Sequence, residues 1–184
     1  FEAARRAGVR RVVFAASAAS YGNDPIAPKR EEMLPAPESP YAISKIAGEY
    51  YARVYSSLYG LEVVCLRYFN VFGPRQDPSS PYSGVISIFA ERMLAGAAPT
   101  VFGDGGQSRD FVYVDNVVEA NMRACATPGI AGRVYNIGCG RSASLLELVA
   151  ALNRVLGTAI EPEFAPARPG DVRISLADIT RAQR

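Results

Sequence analysis

The 184-residue sequence contains no histidine and no tryptophan, and only three cysteines. Without histidine, any proton transfer at neutral pH must fall to Tyr, Lys, Asp or Glu. Most zinc sites, which are built from imidazole and thiolate, are excluded too, and no metal site is expected. Cys65, Cys125 and Cys139 are an odd number at unrelated spacings, so they do not read as a disulfide framework, and the cytoplasm is the default compartment. No apolar stretch approaches the roughly 20 residues that a membrane-spanning helix needs. Long runs of one charge are also missing and the formal net charge is only +2, which gives no support to nucleic-acid or membrane-surface binding. Lysine itself is scarce: Lys29 and Lys45 are the only two among 20 cationic residues.

What is present is enough apolar residue for one good core, punctuated by glycine and proline. Phe1 to Gly8 reads as the last turns of a helix. With no initiator Met or leader peptide there, the expectation is a piece of a longer protein whose front part is missing. Val9 to Ala16, rich in β-branched residues, predicts a buried parallel strand. Residues 22–40 carry Gly22, Asn23, Asp24 and five prolines, hence a long loop. Ser39 and Pro40 then start a helix from Tyr41 to Tyr59 that stops at Gly60, and Glu62 to Tyr68 is the next strand. Helix–strand–helix–strand over 1–70 implies an α/β fold, half of a doubly wound parallel sheet.

Beyond it the pattern predicts a loop from Asn70 to Ser83, a helix from Val85 to Ala95 and a strand from Thr100 to Phe102. A polar loop from Gly103 to Asp110 leads into the strand Phe111 to Val114. Asp115 is placed to cap a helix to Ala126, and Arg133 to Ile137 is a strand. Ser144 and Glu147 form a capping box for a helix ending at Gly157. Ala159 to Phe164 is the last strand, and Asp178 to Arg184 resembles the first turn of one more helix. Residues 71–184 are expected to form a smaller α/β substrate-binding region, with the strand and helix of 111–127 packing back on the sheet.

Tyr41 and Lys45 lie four apart, on one face of a helix. A phenol titrates near 10, and lowering that by ~3 units takes roughly 4 kcal/mol, more than one ammonium group ordinarily supplies. By itself the pair reads more readily as a surface contact than as a catalytic base. Ser17 lies where the first strand ends among small residues, Ala15, Ala16, Ala18 and Ala19, and ligands in open α/β sheets bind beyond the carboxyl ends of strands. A hydroxyl there can relay a proton to a phenolate, or it can simply cap a turn. Arg109, in a glycine-rich loop, has the fork geometry that suits phosphate oxygens.

Taken in order, Ser17, Tyr41 with Lys45, Arg67-Tyr68-Phe69-Asn70-Val71-Phe72-Gly73-Pro74-Arg75-Gln76, Gly103-Asp104-Gly105 with Arg109-Asp110-Phe111 and Asp115, and Arg168-Pro169-Gly170-Asp171 resemble the signature of the extended short-chain dehydrogenases/reductases that act on nucleotide sugars. They are most similar to UDP-glucose and UDP-N-acetylglucosamine 4-epimerases. The resemblance covers essentially the whole chain and implies a Rossmann-like NAD-binding fold with a transient oxidation at carbon 4 of a UDP-hexose. Tyr41, assisted by Ser17, would take the proton of the 4-hydroxyl, and Lys45 would hold the nicotinamide ribose. Ala15, Ala16, Tyr68 and Val71 would line the cofactor pocket. Asn70, Arg109 and Arg168 would bind the diphosphate, with Phe102 and Asp171 around the uridine.

The same resemblance implies that Ala18 and Ala19, where dehydratases carry an Asp-Glu pair, disfavour elimination. It also implies that Ser175, where glucose-restricted epimerases carry a bulky aromatic, leaves room for an N-acetyl group. A homodimer through the Tyr41–Tyr59 helix is expected, since Tyr50, Tyr51, Val54 and Tyr55 extend its apolar surface. Gly138-Cys139-Gly140-Arg141-Ser142-Ala143, with Glu161 and Glu163 further on, imitates a dinucleotide-binding turn but reads as a structural turn before a capped helix. The chain alone is therefore expected to bind NAD weakly and to be inactive. The remaining alternatives are another reductase or dehydratase of this type and a non-catalytic nucleotide-sugar binder.

Overall fold

The computed structural model describes residues 1–79, 84–168 and 170–184. Helix α1 (Glu2–Arg6) gives way through Gly8, in the left-handed region at φ 68°, to β1 (Arg11–Ser17), followed by a short 3-10 turn over Ala18–Tyr21. Helix α2 (Pro40–Tyr59) starts where the Ser39 hydroxyl oxygen accepts the Ala42 N–H at 3.1 Å, and it ends at a left-handed Gly60. After it come β2 (Glu62–Tyr68), β3 (Asn70–Phe72), α3 (Val85–Leu94), β4 (Thr100–Phe102), β5 (Ser108–Arg109) and β6 (Phe111–Tyr113). The remainder is α4 (Val114–Ala126), β7 (Val134–Ile137), β8 (Ala143–Ser144), α5 (Leu145–Leu156), β9 (Glu163–Ala165) and β10 (Ile174–Ser175).

The chain is a mixed α/β structure whose main sheet is parallel, in the order β1-β2-β7. β2 is its central strand, which explains its unbroken apolar run. Val63 and Cys65 join the cluster that contains Ala52 of α2, while Val64 and Leu66 join Val117 and Ala124 of α4. Alternate residues of one strand are thus buried under helices on opposite faces, the doubly wound arrangement. At Gly48 a β-carbon would stand 2.2 Å from the Phe14 ring, so a glycine is what lets α2 lie this close to β1. A second core, around Phe89, Met93, Val101 and Leu148, holds α3, β4 and α5 together. No helix among the described residues is long and apolar enough to cross a membrane.

Several local expectations are corrected. The loop beginning at Asn70 contains β3, which pairs in parallel with β6, and the loop 103–110 contains β5, flanked by β8 and β10. Tertiary pairing overrides the local turn signals there. Asp115 lies inside the first turn of α4 and does not cap it; Tyr113 is the cap residue and makes no side-chain cap bond. The last long strand is confined to Glu163–Ala165, and 178–184 closes as hydrogen-bonded turns on the Ile179 carbonyl instead of a helix. The capping box at Ser144 and Glu147 forms as expected, with both reciprocal bonds. Residues 80–83 of the first loop, and Pro169, lie outside the described residues.

Asp110 ties the turn after β7 to β3 and to the segment that carries Ala177. Its fully buried carboxylate accepts N–H bonds from Cys139 (2.7 Å), Gly140 (3.0 Å) and Ala177 (3.1 Å), while its carbonyl accepts the Asn70 N–H at 3.0 Å. Burial pushes its pKa up, and the three N–H bonds pull it back. Removing the carboxylate strands three backbone donors, each worth roughly 1–3 kcal/mol. Asp110→Ala is expected to cost about 3 kcal/mol or more in urea unfolding, with Asp110→Asn losing less; a loss below about 1 kcal/mol would contradict this account.

Candidate active site

β1 and β2 end together, Ser17 opposite Tyr68 in the parallel register, and the chain turns away at both points. The space beyond them is a cleft of about 270 Å³ lined by Ser17, Tyr68, Asn70, Arg109, Asp171 and Ser175, with Lys29 also in its wall. The Ser17 hydroxyl oxygen accepts the Ala19 N–H at 3.1 Å, capping the 3-10 turn, so this residue both shapes the turn and faces the cleft. The amide of Asn70 donates to the Ser175 hydroxyl and to the Asp110 carbonyl, each at 3.2 Å. Arg109 donates to the Val172 carbonyl at 2.5 Å and pairs with the Asp171 carboxylate. Burial lowers its pKa, and the Asp171 charge opposes that shift. The Tyr68 hydroxyl donates to Asn121 at 2.9 Å, and burial raises its pKa.

Lys45 reaches the end of β1 from α2, with the Tyr41 ring beside it. The Lys45 ammonium donates to the Ala15 carbonyl at 2.9 Å and lies 5.5 Å from the Tyr41 ring centroid and 5.6 Å from that of Phe14. Tyr41 is half exposed and is not part of the cleft wall formed by Ser17. What holds α2 in this pose is a buried ion pair. Arg67 of β2 donates from Nε (2.8 Å) and Nη2 (2.7 Å) to the two carboxylate oxygens of Glu49, and both side chains are about 5% exposed. The guanidinium carbon lies 4.7 Å from the Tyr21 ring, whose hydroxyl donates to Asn136 of β7 at 2.7 Å.

The other expected residues scatter. Phe102 and Arg168 meet each other, with the guanidinium 3.6 Å from the ring centroid, outside the cleft wall. They connect to it through Gln107, whose amide donates to the Phe102 carbonyl (2.6 Å) and the Asp171 carboxylate (3.2 Å), while its own buried oxygen has no partner among the described residues. Val71 packs against the Val64 core cluster, and Ala16 is buried beside α2 while Ala15 is exposed. A larger hollow of about 1310 Å³ along β7 and residues 178–184 contains none of the expected residues.

For NAD, the residues at the end of β1 fit the nicotinamide-ribose end: Lys45 uses one ammonium proton on Ala15 and, among the described residues, has no other acceptor. The Gly138-Cys139-Gly140 turn does not fit a pyrophosphate, because the Asp110 carboxylate already occupies its amides.

Sequence reasoning passed over Glu49, Arg67, Tyr21, Asn136, Gln107 and Lys29 as site residues. Two of these carried a signal: Glu49 extends the Tyr41–Lys45 spacing by one more turn of the same helix face, and Arg67 is a charge inside a buried strand.

Residues 1–138 match the model of the NAD dependent epimerase/dehydratase family, and the chain belongs to that family. Over 183 residues it is 47% identical to the UDP-glucose 4-epimerase of Mycolicibacterium smegmatis, covering 99% of this chain and 58% of that protein. It matches the structure of the UDP-N-acetylglucosamine 4-epimerase of Methanobrevibacter ruminantium, solved in complex with UDP-N-acetylmuramic acid, with a TM-score of 0.95 at 40% identity, covering 100% of this chain and 58% of the other. For the UDP-glucose 4-epimerase of Thermus thermophilus, solved with NAD, the values are 0.88 and 42%, covering 99% and 60%. The chain thus spans less than two thirds of the length of these relatives.

Glu49→Ala leaves a buried guanidinium unpaired and is expected to cost about 3–5 kcal/mol in denaturant unfolding; a cost under about 1 kcal/mol would show that α2 is held by apolar packing alone.

Proposed function

We propose that this chain carries the substrate side of a NAD-dependent UDP-hexose 4-epimerase, an isomerase working through a transient 4-keto sugar. The observation that carries the proposal is that Ser17, Asn70, Arg109, Asp171 and Ser175, from four separate segments, share one cleft at the carboxyl end of the parallel sheet, near the Ala15 carbonyl that Lys45 binds. Bound NAD supplies a reversible hydride acceptor at carbon 4. Tyr41 then removes the 4-hydroxyl proton, with the Lys45 ammonium favouring the phenolate and Ser17 holding the hydroxyl. Ala15, Ala16, Tyr68 and Val71 border the nicotinamide. Arg109, Asn70 and Arg168 hold the diphosphate, with Phe102 and Asp171 beside the uridine. Ala18 and Ala19 offer no carboxylate for elimination, which favours epimerase over dehydratase.

Residues 1–70, with the 111–127 segment, make up the cofactor-binding half in this proposal, and 71–184 the nucleotide-sugar half. The exposed Tyr50, Tyr51, Leu58 and Tyr59 of α2 suit a second copy of the chain as partner. A cytoplasmic site accords with three unpaired thiols, of which Cys65 is buried and pushed up to about 12.

In the full-length protein, Tyr41→Phe is expected to lower kcat by roughly 10²–10⁴-fold with little change in KM for the UDP-sugar. Retention of wild-type kcat would remove Tyr41 from the chemistry. Ser175→Tyr tests sugar choice: a phenol at this wall should suppress turnover of UDP-N-acetylglucosamine far more than of UDP-glucose, and equal effects on both would refute the gating role.

A further inference from the structure

Lys29 is one of only two lysines, and it is 2% exposed although it lies in the proline-rich segment between β1 and α2. Its backbone is clamped. The N–H donates to the Leu176 carbonyl at 2.7 Å, and its carbonyl accepts from the Asn136 amide at 2.8 Å and the Asp178 N–H at 2.9 Å. These bonds fix the side chain in the wall of the cleft, in company with Ser17, Asn70 and Ser175.

An ammonium group offers three donors. One goes to the Asp24 carbonyl. The Asp24 carboxylate stands 3.8 Å away, beyond hydrogen-bond reach, and among the described residues no further acceptor is provided. Burying a cation with donors unmet is costly, and burial correspondingly pulls the Lys29 pKa below the ordinary lysine range. A lysine kept only to tie down the segment would gain nothing from this position, since the backbone bonds already do so. A compact donor in a residue of the cleft wall suits a single oxygen acceptor in the cleft.

We infer that Lys29 donates a hydrogen bond to an oxygen of the hexose itself, and so helps to decide which hexose the cleft accepts. The inference rests on the cleft being the nucleotide-sugar site. Lys29 shares its wall with Ser17, the residue assigned to the reacting hydroxyl, and Arg109 with Asn70 already serves the diphosphate. With Arg109 and Asn70 assigned to the diphosphate, the acceptor left for Lys29 is on the sugar: a ring hydroxyl or the carbonyl of an acylamino group.

In the full-length protein labelled with 15N-lysine, the side-chain ammonium signal that disappears in Lys29→Met is that of Lys29. Titration with UDP, UDP-glucose and UDP-N-acetylglucosamine should move the Lys29 signal with the two UDP-hexoses and leave it in place with UDP. A Lys29 signal that stays still at saturating UDP-hexose, or moves equally with UDP, overturns the inference while leaving the cleft assignment intact. If no nucleotide binds at all, by calorimetry on the same samples, the cleft assignment fails and this inference with it. Lys29→Met should weaken UDP-hexose binding by about tenfold or more and leave UDP affinity unchanged. Equal weakening of both would reduce Lys29 to a structural role.

Discussion

The arrangement at the end of the sheet depends on the buried pair of Arg67 and Glu49. Two charges about 95% removed from solvent are not a source of net stability, because desolvation consumes most of their attraction. What the pair contributes is a unique pose. Tyr41, Lys45 and Glu49 are spaced by four on one helix, so fixing Glu49 to the last turn of β2 also fixes where the other two point. Lys45 then finds the Ala15 carbonyl, two residues before Ser17. On its other side the same guanidinium lies against the Tyr21 ring, which runs on through Asn136 to the carbonyl of Lys29. The helix, the turn after β1 and the proline-rich segment are therefore parts of one polar network surrounding the cleft.

The polar side chains around the cleft hold one another in place. Arg109 is held by the Val172 carbonyl and by Asp171, which keeps its guanidinium aimed and partly compensated in a buried place. Gln107 bridges that pair to the Phe102 carbonyl, and its buried oxygen has no partner among the described residues. The glycine turn at 138–140 uses the same amide chemistry that cradles phosphates elsewhere, but satisfies it internally with the Asp110 carboxylate.

Much of this was legible in the sequence wherever a local cause sufficed. The apolar stretch Val63–Leu66, the Ser39-Pro40 start, the capping box at Ser144 and the glycines that close α2 and α5 each act through neighbours a few residues away. The short strands β3, β5 and β10 were not legible, since each exists only because a distant partner pairs with it. Ser17, Asn70, Arg109, Asp171 and Ser175 could be named from ordered motifs, but their sharing one cleft depends on pairings such as Ser175 with Arg109 that no local pattern encodes. The burial of Lys29 has no local cause: the Asn136 and Leu176 bonds that draw it inside come from distant parts of the chain.

The most direct test is a crystal structure of the protein with a UDP-hexose bound. The account requires the diphosphate against Arg109 and the 4-hydroxyl of the sugar within hydrogen-bonding range of the Ser17 hydroxyl, on the side from which Tyr41 approaches. A ligand lodged instead in the larger hollow along β7, or a pyranose that meets Ser17 with Tyr41 turned to solvent, would contradict it.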